Sequence, residues 1–225
     1  MEAAIAAIPA WMERTGWSRQ GADLEKWAVS GHSNGGQGTW YTLTHRYGAK
    51  SAHRAALHRP MAGCFFHRND KIIAAAPLSG YLSIPAYVPY HMWHEADPRK
   101  STAVLASLTS YKHELLVPNM LGTPILQQHG QDDDNVPVYH SRRMHQLIGE
   151  ADWTSQYAEI PGKGHWWEGV MTEEAVSDFL AHHLGKAPAM PELPTRFSLV
   201  VANPADTGPR GGIVVDQLEE PDRYV

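Results

Sequence analysis

The stretch WAVSGHSNGGQGTW, residues 27–40, decides the fold class of this chain. It begins as a short apolar run, passes through Ser33 with glycines on both sides, and continues as a sequence suited to a helix. Residues 31–35, GHSNG, match the pattern G-x-S-x-G between a strand and a helix, which is typical of a nucleophile elbow. An elbow strains the serine backbone and brings the helix close to the strand, so neighbouring side chains must be small. We therefore expect Ser33 to be a nucleophile, the alternative being a plain glycine-rich turn.

Apolar runs and helical patterns alternate along the chain. Strands are predicted at 26–31, 71–80, 123–130 and 154–162, and helices at 1–15, 35–48, 140–151 and 172–185. Strands that alternate with helices are typical of βαβ units with right-handed crossovers. The sequence therefore predicts an α/β fold, a parallel sheet with helices on both faces.

Composition limits the class of protein. A hydrophobic fraction of 43% argues against disorder, and a net charge of −5 argues against nucleic acid as a partner. No run is long enough to cross a membrane, and the first residues lack the basic region of a secretory signal. Cys64 stands alone, so no internal disulfide can form. These features leave the location open with the cytoplasm favoured, and they say nothing of the oligomeric state.

Two segments depart from the alternating pattern. Residues 47–69 join a helix to the next strand at unusual length, are rich in Arg and His, and are expected to be an insertion. After a domain at 1–185, residues 186–194 form a proline-containing linker. Residues 195–225 hold two strand-like runs around a turn, which predicts a β-hairpin or the start of an incomplete β-domain. We expect this tail to pack on the main domain or to be unsettled.

A serine hydroxyl needs a base, and the base needs an orienting acid. In elbow-type sites the chain order is serine, acid, histidine, each just after a strand. The segment HGQDDDNVP, after the third predicted strand, offers Asp132, Asp133 and Asp134. The segment PGKGH, after the fourth, offers His165. The order is therefore complete, although physical reasoning alone does not choose among the three aspartates.

The segments GHSNGGQGTW, AAAPLSGY, HGQDDDNVP and GKGH resemble the prolyl oligopeptidase and dipeptidyl-peptidase group of α/β-hydrolases, over roughly residues 20–185. That group pairs H-G-x-x-D with a downstream G-x-G-H. The resemblance implies Ser33 as nucleophile, Asp133, the fifth position from His129, as orienting acid, and His165 as base. The same segments also resemble feruloyl-esterase-like hydrolases, so the choice between peptidase and esterase stays open.

An α/β-hydrolase sheet begins with strands ahead of the elbow strand, and we place none in this sequence. We expect the N-terminal strands of that fold to be absent, as in the C-terminal half of a larger hydrolase or a truncated gene product. The backbone N–H of Asn34 supplies one oxyanion donor, and the second donor is expected to be missing. The implied function is a serine-type peptidase working through an acyl-enzyme on Ser33. The alternatives are a carboxylesterase of the feruloyl-esterase-like type and an inactive hydrolase scaffold.

Aromatic residues follow the second predicted strand, where this fold places a pocket wall. Tyr87, Tyr90 and Trp93 are candidates for lining an apolar substrate pocket, with ordinary packing as the alternative. His91 and His94 have helical spacing, but they lack a third partner, so no metal site is expected. No cofactor is expected either, and the expected partner is a peptide or ester substrate.

Overall fold

The computed structural model describes residues 2–17, 21, 23, 26–45, 72–88, 97–185, 195–208, 210 and 213–219. Outside these residues lie the predicted insertion at 47–69 with Cys64, the pocket candidates Tyr90 and Trp93, the residues His91 and His94, and the predicted linker at 186–194.

A parallel sheet forms the centre of the fold. Its strands are β1 (Trp27–His32), β2 (Ile72–Leu78), β3 (Leu126–Gly130) and β4 (Gln156–Ile160), hydrogen-bonded in the order β1-β2-β3-β4. All neighbouring pairs are parallel. Every residue of β2 is buried, as expected for a central parallel strand covered on both faces. The predicted α/β class is confirmed, and each predicted strand is found within a few residues of its place.

Helices connect the strands. They are α1 (Glu2–Arg14), α2 (Asn34–His45), α3 (Ile84–Tyr87), α4 (Pro98–Ser107), α5 (Val117–Met120), α6 (Tyr139–Glu150) and α7 (Glu174–Gly185), and 3-10 turns lie at Thr109–Tyr111 and His113–Leu115. Sequence analysis predicted α1, α2, α6 and α7 but missed α4. The Asp97 side chain caps α4 by accepting a hydrogen bond from Arg99 N, a signal the sequence did contain. In the part of the chain that the structure describes, no helix has the length and apolar character to cross a membrane.

The hydrophobic core lies on both faces of the sheet. On one face, Trp40 of α2 and Met144 of α6 pack with Ala75 of β2. On the other, Phe179 of α7 packs with Ala74 and its neighbours on the same side of β2. Successive strand residues point to opposite faces, which explains why adjacent alanines belong to different clusters. This layering fixes the carboxyl ends of the strands, where the candidate site lies.

The tail differs from the predicted hairpin. Arg210 and Ile213 exchange both backbone hydrogen bonds, at 3.0 and 2.9 Å, but the described tail residues form no strand. Instead the tail backbone bonds to the main domain. The Asn119 side chain accepts a hydrogen bond from Val200 N at 2.8 Å and donates one to Val200 O at 2.7 Å. Gly208 N donates to His45 O at 2.7 Å. In a hairpin, these backbone groups of Val200 and Gly208 would instead pair with a second strand. The domain boundaries at 185 and 195 stay a prediction.

Candidate active site

The elbow around Ser33 lies directly after β1. Ser33 has a φ of +59°, a left-handed backbone conformation that is strained for a residue with a side chain. Its N–H donates to Leu78 O at 2.9 Å, and its carbonyl accepts from Gln37 N at 3.0 Å. The strand ladder and the first turn of α2 therefore hold the strained residue from both sides.

Two glycines at the elbow are packed so closely that a side chain would not fit. A Cβ atom added at Gly31 would lie 2.5 Å from Gly35 O, and one added at Gly36 would lie 2.6 Å from Leu78 O. A Cβ added at Gly35 itself would meet no atom within 4 Å. The steric requirement inferred from the motif is thus met at Gly31, and it extends to Gly36, one residue beyond the pattern.

Ser33, His165 and Asp133 lie in one hydrogen-bonded row. His165 Nε2 is 2.9 Å from Ser33 Oγ, and His165 Nδ1 is 2.8 Å from Asp133 Oδ2. Each residue follows a strand, so the row lies at the carboxyl edge of the sheet. The Asp133 side chain is fully buried, whereas Asp132 and Asp134 are exposed. Of the three aspartates that the sequence offers, the structure brings Asp133 to the histidine.

The Asp133 carboxylate is surrounded by donors. Oδ1 accepts from Asn135 N at 3.0 Å and Val136 N at 2.8 Å. Oδ2 accepts from His165 and also lies 3.2 Å from His129 Nε2. Because both oxygens are engaged, the carboxylate can hold only one orientation toward His165.

His129 is a functional candidate that sequence reasoning used only as a motif letter. Its Nε2 also lies 2.8 Å from Val136 O, and a carbonyl can only accept, so Nε2 carries the proton. Nδ1 then accepts from the Ser141 hydroxyl at 2.7 Å. Burial lowers the pKa of His129, which favours the neutral ring. The available signal was the H-G-x-x-D motif itself, which holds His129 and Asp133 four residues apart.

His32 supports the histidine loop from the elbow side. Its Nε2 donates to His165 O at 2.7 Å, and the two imidazole rings lie 4.8 Å apart between centroids. The Trp166 ring meets His32 edge-on at 5.2 Å. Burial lowers the pKa of His32, against the opposing effect of its bond to the carbonyl. Sequence analysis assigned no role to His32, because the second position of the motif accepts any residue.

Tyr87, the described member of the predicted pocket, lies beside the acid loop. Its hydroxyl donates to Asn135 Oδ1 at 2.9 Å, and its ring stacks on Tyr81 at 4.6 Å. Tyr81 in turn donates to Asn34 Oδ1 at 3.2 Å. Burial raises the pKa of Tyr81, so its hydroxyl keeps the proton that it donates. Tyr81 therefore connects Tyr87, a predicted pocket residue, to Asn34, the residue after Ser33. The sequence analysis assigned no role to Tyr81.

Asn34 begins α2, so its backbone N–H lies at the helix N-terminus, where donors lack helical partners and the dipole favours negative charge. That is the place expected of one oxyanion donor. The absence of a second donor stays a prediction. Within the described ranges, no three His, Cys, Asp or Glu side chains cluster closely enough to hold a metal ion.

The parallel sheet, the strained serine elbow and the row from serine through histidine to a buried aspartate define an α/β-hydrolase. The chain belongs to the prolyl oligopeptidase family, whose model matches residues 72–187, about half of the chain. The match includes Asp133 and His165 and begins after Ser33. Membership of this family supports a function of the serine-hydrolase type.

Relatives and solved structures resemble the chain to different extents. A protein of Arthroderma benhamiae named "Uncharacterized secreted protein" is 42% identical over 223 residues, which cover 99% of this chain and 22% of that protein. A crystal structure from Bacteroides ovatus, provisionally named dipeptidyl aminopeptidase IV, has 15% identity and a TM-score of 0.51, covering 72% of this chain and 20% of that one. Protein TT1662 of Thermus thermophilus has 16% identity and a TM-score of 0.50, covering 82% and 62%. The structural similarities show the fold, and this chain spans about a fifth of the first two proteins.

The expectation that favoured the cytoplasm was wrong. The Arthroderma relative, similar over nearly the whole of this chain, is named a secreted protein. One cysteine and the composition of the first residues carry too little information about export to outweigh that finding.

Proposed function

We propose that this chain carries the catalytic site of a serine hydrolase that cleaves peptide bonds through an acyl-enzyme on Ser33. The observation that carries the proposal is the hydrogen-bonded row in which His165 lies 2.9 Å from Ser33 Oγ and 2.8 Å from the buried Asp133 carboxylate. Those contacts provide a nucleophile, a base and an orienting acid in the geometry that acyl transfer requires.

In the proposed mechanism, Ser33 Oγ attacks the substrate carbonyl while its proton passes to His165 Nε2. Asp133 holds the Nδ1 proton of His165, and Asn34 N–H receives charge that develops on the substrate oxygen. His165 then gives its proton to the leaving amine as the carbon–nitrogen bond breaks. Water repeats these steps on the acyl-enzyme and frees Ser33.

Family membership favours a peptide substrate over an ester. The Bacteroides structure, named for a dipeptidyl aminopeptidase, supports a peptide substrate. The Arthroderma relative, named a secreted protein, supports a location outside the cell. A carboxylesterase would use the same side chains, since both reactions are acyl transfers, so the substrate has to be settled by measurement.

A fluorophosphonate probe tests the nucleophile. Labelling of the folded chain that disappears in Ser33→Ala is expected, with circular dichroism as the control for folding. Folded wild-type protein that takes no label contradicts the proposal and supports an inactive scaffold.

Paired substrates then test the class of bond. A proline p-nitroanilide reports amide cleavage, and p-nitrophenyl acetate reports ester cleavage. The two released products are detected by their absorbance in the same wavelength range. Turnover of both supports the peptidase. Turnover of the ester alone, lost in Ser33→Ala, supports the carboxylesterase instead.

A further inference from the structure

Three aromatic rings form a continuous row beside Ser33. The rings of His165 and His32 lie 4.8 Å apart, and those of His32 and Trp166 lie 5.2 Å apart. The imidazole of His32, the middle ring of the row, is held in place because its Nε2 donates to His165 O at 2.7 Å. The position of the Trp166 ring is therefore tied to the elbow and to the histidine loop together.

Trp166 differs sharply from the tryptophan that follows it. Trp167 is 7% exposed and donates from Nε1 to Glu173 at 2.7 Å, so it belongs to the packed base of the loop. Trp166 is 69% exposed. A single exposed aromatic ring is common on protein surfaces. Trp166 is unusual because it directly follows the candidate base and rests on the residue that precedes the candidate nucleophile.

The chemistry assigns a side of the substrate to this ring. During acyl transfer the base returns its proton to the leaving group, so the leaving group must lie against His165 Nε2. Trp166 directly follows His165 and packs on His32, so its exposed ring lies on the loop that carries the base. Tyr81 and Tyr87 lie on a different segment, where their hydroxyls donate to Asn34 and to Asn135 of the acid loop.

We propose that Trp166, held by His32, is the surface that binds the leaving group, and that it selects substrates whose leaving group is planar and apolar. The proposal rests on the proposed serine-hydrolase function. Aromatic pairs prefer offset-stacked or edge-to-face arrangements, and the edge-to-face contact with His32 leaves at least one broad face of the exposed indole for a ligand.

The experiment uses two reagents that deliver the same group to Ser33. 4-Nitrophenyl acetate and trifluoroethyl acetate both form a bond between Ser33 Oγ and the acetyl carbon, and the hydroxyl proton passes to His165. The bond between the acetyl carbon and the leaving oxygen then breaks and His165 returns the proton, so 4-nitrophenol leaves in the first case and trifluoroethanol in the second. The products on the protein are identical, so any difference in sensitivity to Trp166 reports the leaving group.

The kcat/KM for release of each leaving group, which reports formation of the acyl-enzyme, is measured for wild type, Trp166→Ala, Trp166→Phe and Trp17→Ala. Trp17 is a matched control, since it is 56% exposed and its ring meets Trp11 rather than a residue of the candidate site. With the aryl reagent, Trp166→Ala is expected to react about fivefold more slowly than wild type, as loss of one aromatic pair implies. Trp166→Phe retains most of the rate, Trp17→Ala is unchanged, and no variant changes the rate with the trifluoroethyl reagent.

Each contrary outcome has a distinct meaning. If Trp166→Ala slows both reagents equally, Trp166 supports the histidine loop and the leaving-group proposal is overturned. Wild-type rates for Trp166→Ala with both reagents also overturn it, because Trp166 then contacts nothing in the reaction. If wild-type Ser33 reacts with neither reagent, the serine-hydrolase proposal fails, and the inference that rests on it fails as well.

Discussion

His129 Nε2 lies 3.2 Å from Asp133 Oδ2 and 2.8 Å from Val136 O, so one buried N–H is shared between the candidate acid and the loop that carries it. Neither the His129 nor the Asp133 side chain is exposed. The same carboxylate oxygen accepts from His165 at 2.8 Å. His129 and the candidate base therefore share one oxygen of the Asp133 carboxylate.

Replacing His129 tests this support. His129→Leu removes the donor and is expected to lower kcat/KM on an activated ester by roughly 10- to 100-fold, equivalent to about 1.5–3 kcal/mol for a hydrogen bond to a charged group. His129→Gln keeps an N–H near the position of Nε2 and is expected to recover part of the loss. Equal activity of the two variants, at equal thermal stability, contradicts a positioning role for His129.

The three neighbouring aspartates provide an internal control for the acid. Asp133→Asn leaves the shape intact but offers His165 a side chain that can favour the wrong tautomer, so kcat is expected to fall roughly 10,000-fold. Asp134→Asn changes an exposed neighbour and is expected to stay within about twofold of wild type. Rates on p-nitrophenyl acetate separate the two. Similar losses in both variants would mean that the acid had been misassigned.

Buried histidines make folding stability depend on pH. Burial lowers the pKa of His113 from 6.5 to about 3, with the nearby His45 acting in the same direction. The unfolded chain therefore binds the proton below pH 6.5, whereas folded His113 resists it down to about pH 3. The contribution of His113 to stability is complete above pH 6.5 and is lost as the pH falls through this window.

Urea unfolding at pH 7 and pH 5 measures that loss. The free energy of unfolding of the wild type is expected to decrease toward pH 5 by up to about 1.4 kcal/mol per pH unit for each such group. His113→Asn keeps an acceptor near Nδ1, which lies 3.2 Å from the Thr44 hydroxyl, and cannot titrate. Its pH dependence should be shallower. An unchanged slope would assign the dependence to other groups.

The glycines of the elbow are expected to respond differently to a methyl group. In Gly36→Ala the new Cβ would lie 2.6 Å from Leu78 O and 2.9 Å from Gly80 Cα, so the backbone must shift. Overpacking of this kind costs about 1–3 kcal/mol of unfolding free energy. Gly35→Ala meets open space and should be neutral or slightly stabilising, because alanine favours a helix. Urea unfolding compares the pair, and equal losses would contradict the packing described for Gly36.

The sequence predicts those residues of the site that belong to short local motifs. Ser33, Asp133 and His165 each sit in a short motif after a strand, so their convergence follows from the parallel sheet. The contacts of His129 and His32 are different, because they depend on the packing of one loop on another. Sequence periodicity carries no information on such pairs, although the residues themselves lie inside or beside the motifs.

The tail shows the same limit in the fold. Its two strand-like runs satisfy the local rules for a hairpin. Two contacts at long sequence separation redirect the tail: Asn119 of the main domain donates to Val200 O, and Arg210 of the tail donates to Leu121 O. Local propensity loses to such tertiary contacts when a segment is short and has few partners of its own.

Arg210 anchors the tail and provides the last prediction. Its side chain is buried, donates to Pro118 O and, at 3.0 Å, to Leu121 O, and lies 5.2 Å from the Phe197 ring centroid. Arg210→Ala is expected to lower the unfolding free energy by roughly 2–4 kcal/mol, because charged hydrogen bonds to buried carbonyls are lost. Arg210→Lys should recover little, since an ammonium lacks the planar fork. Arg99→Ala is the control, with a side chain 93% exposed and an expected change below about 0.5 kcal/mol. Urea unfolding that gives equal changes for Arg210→Ala and Arg99→Ala would show that the tail is not held by this residue.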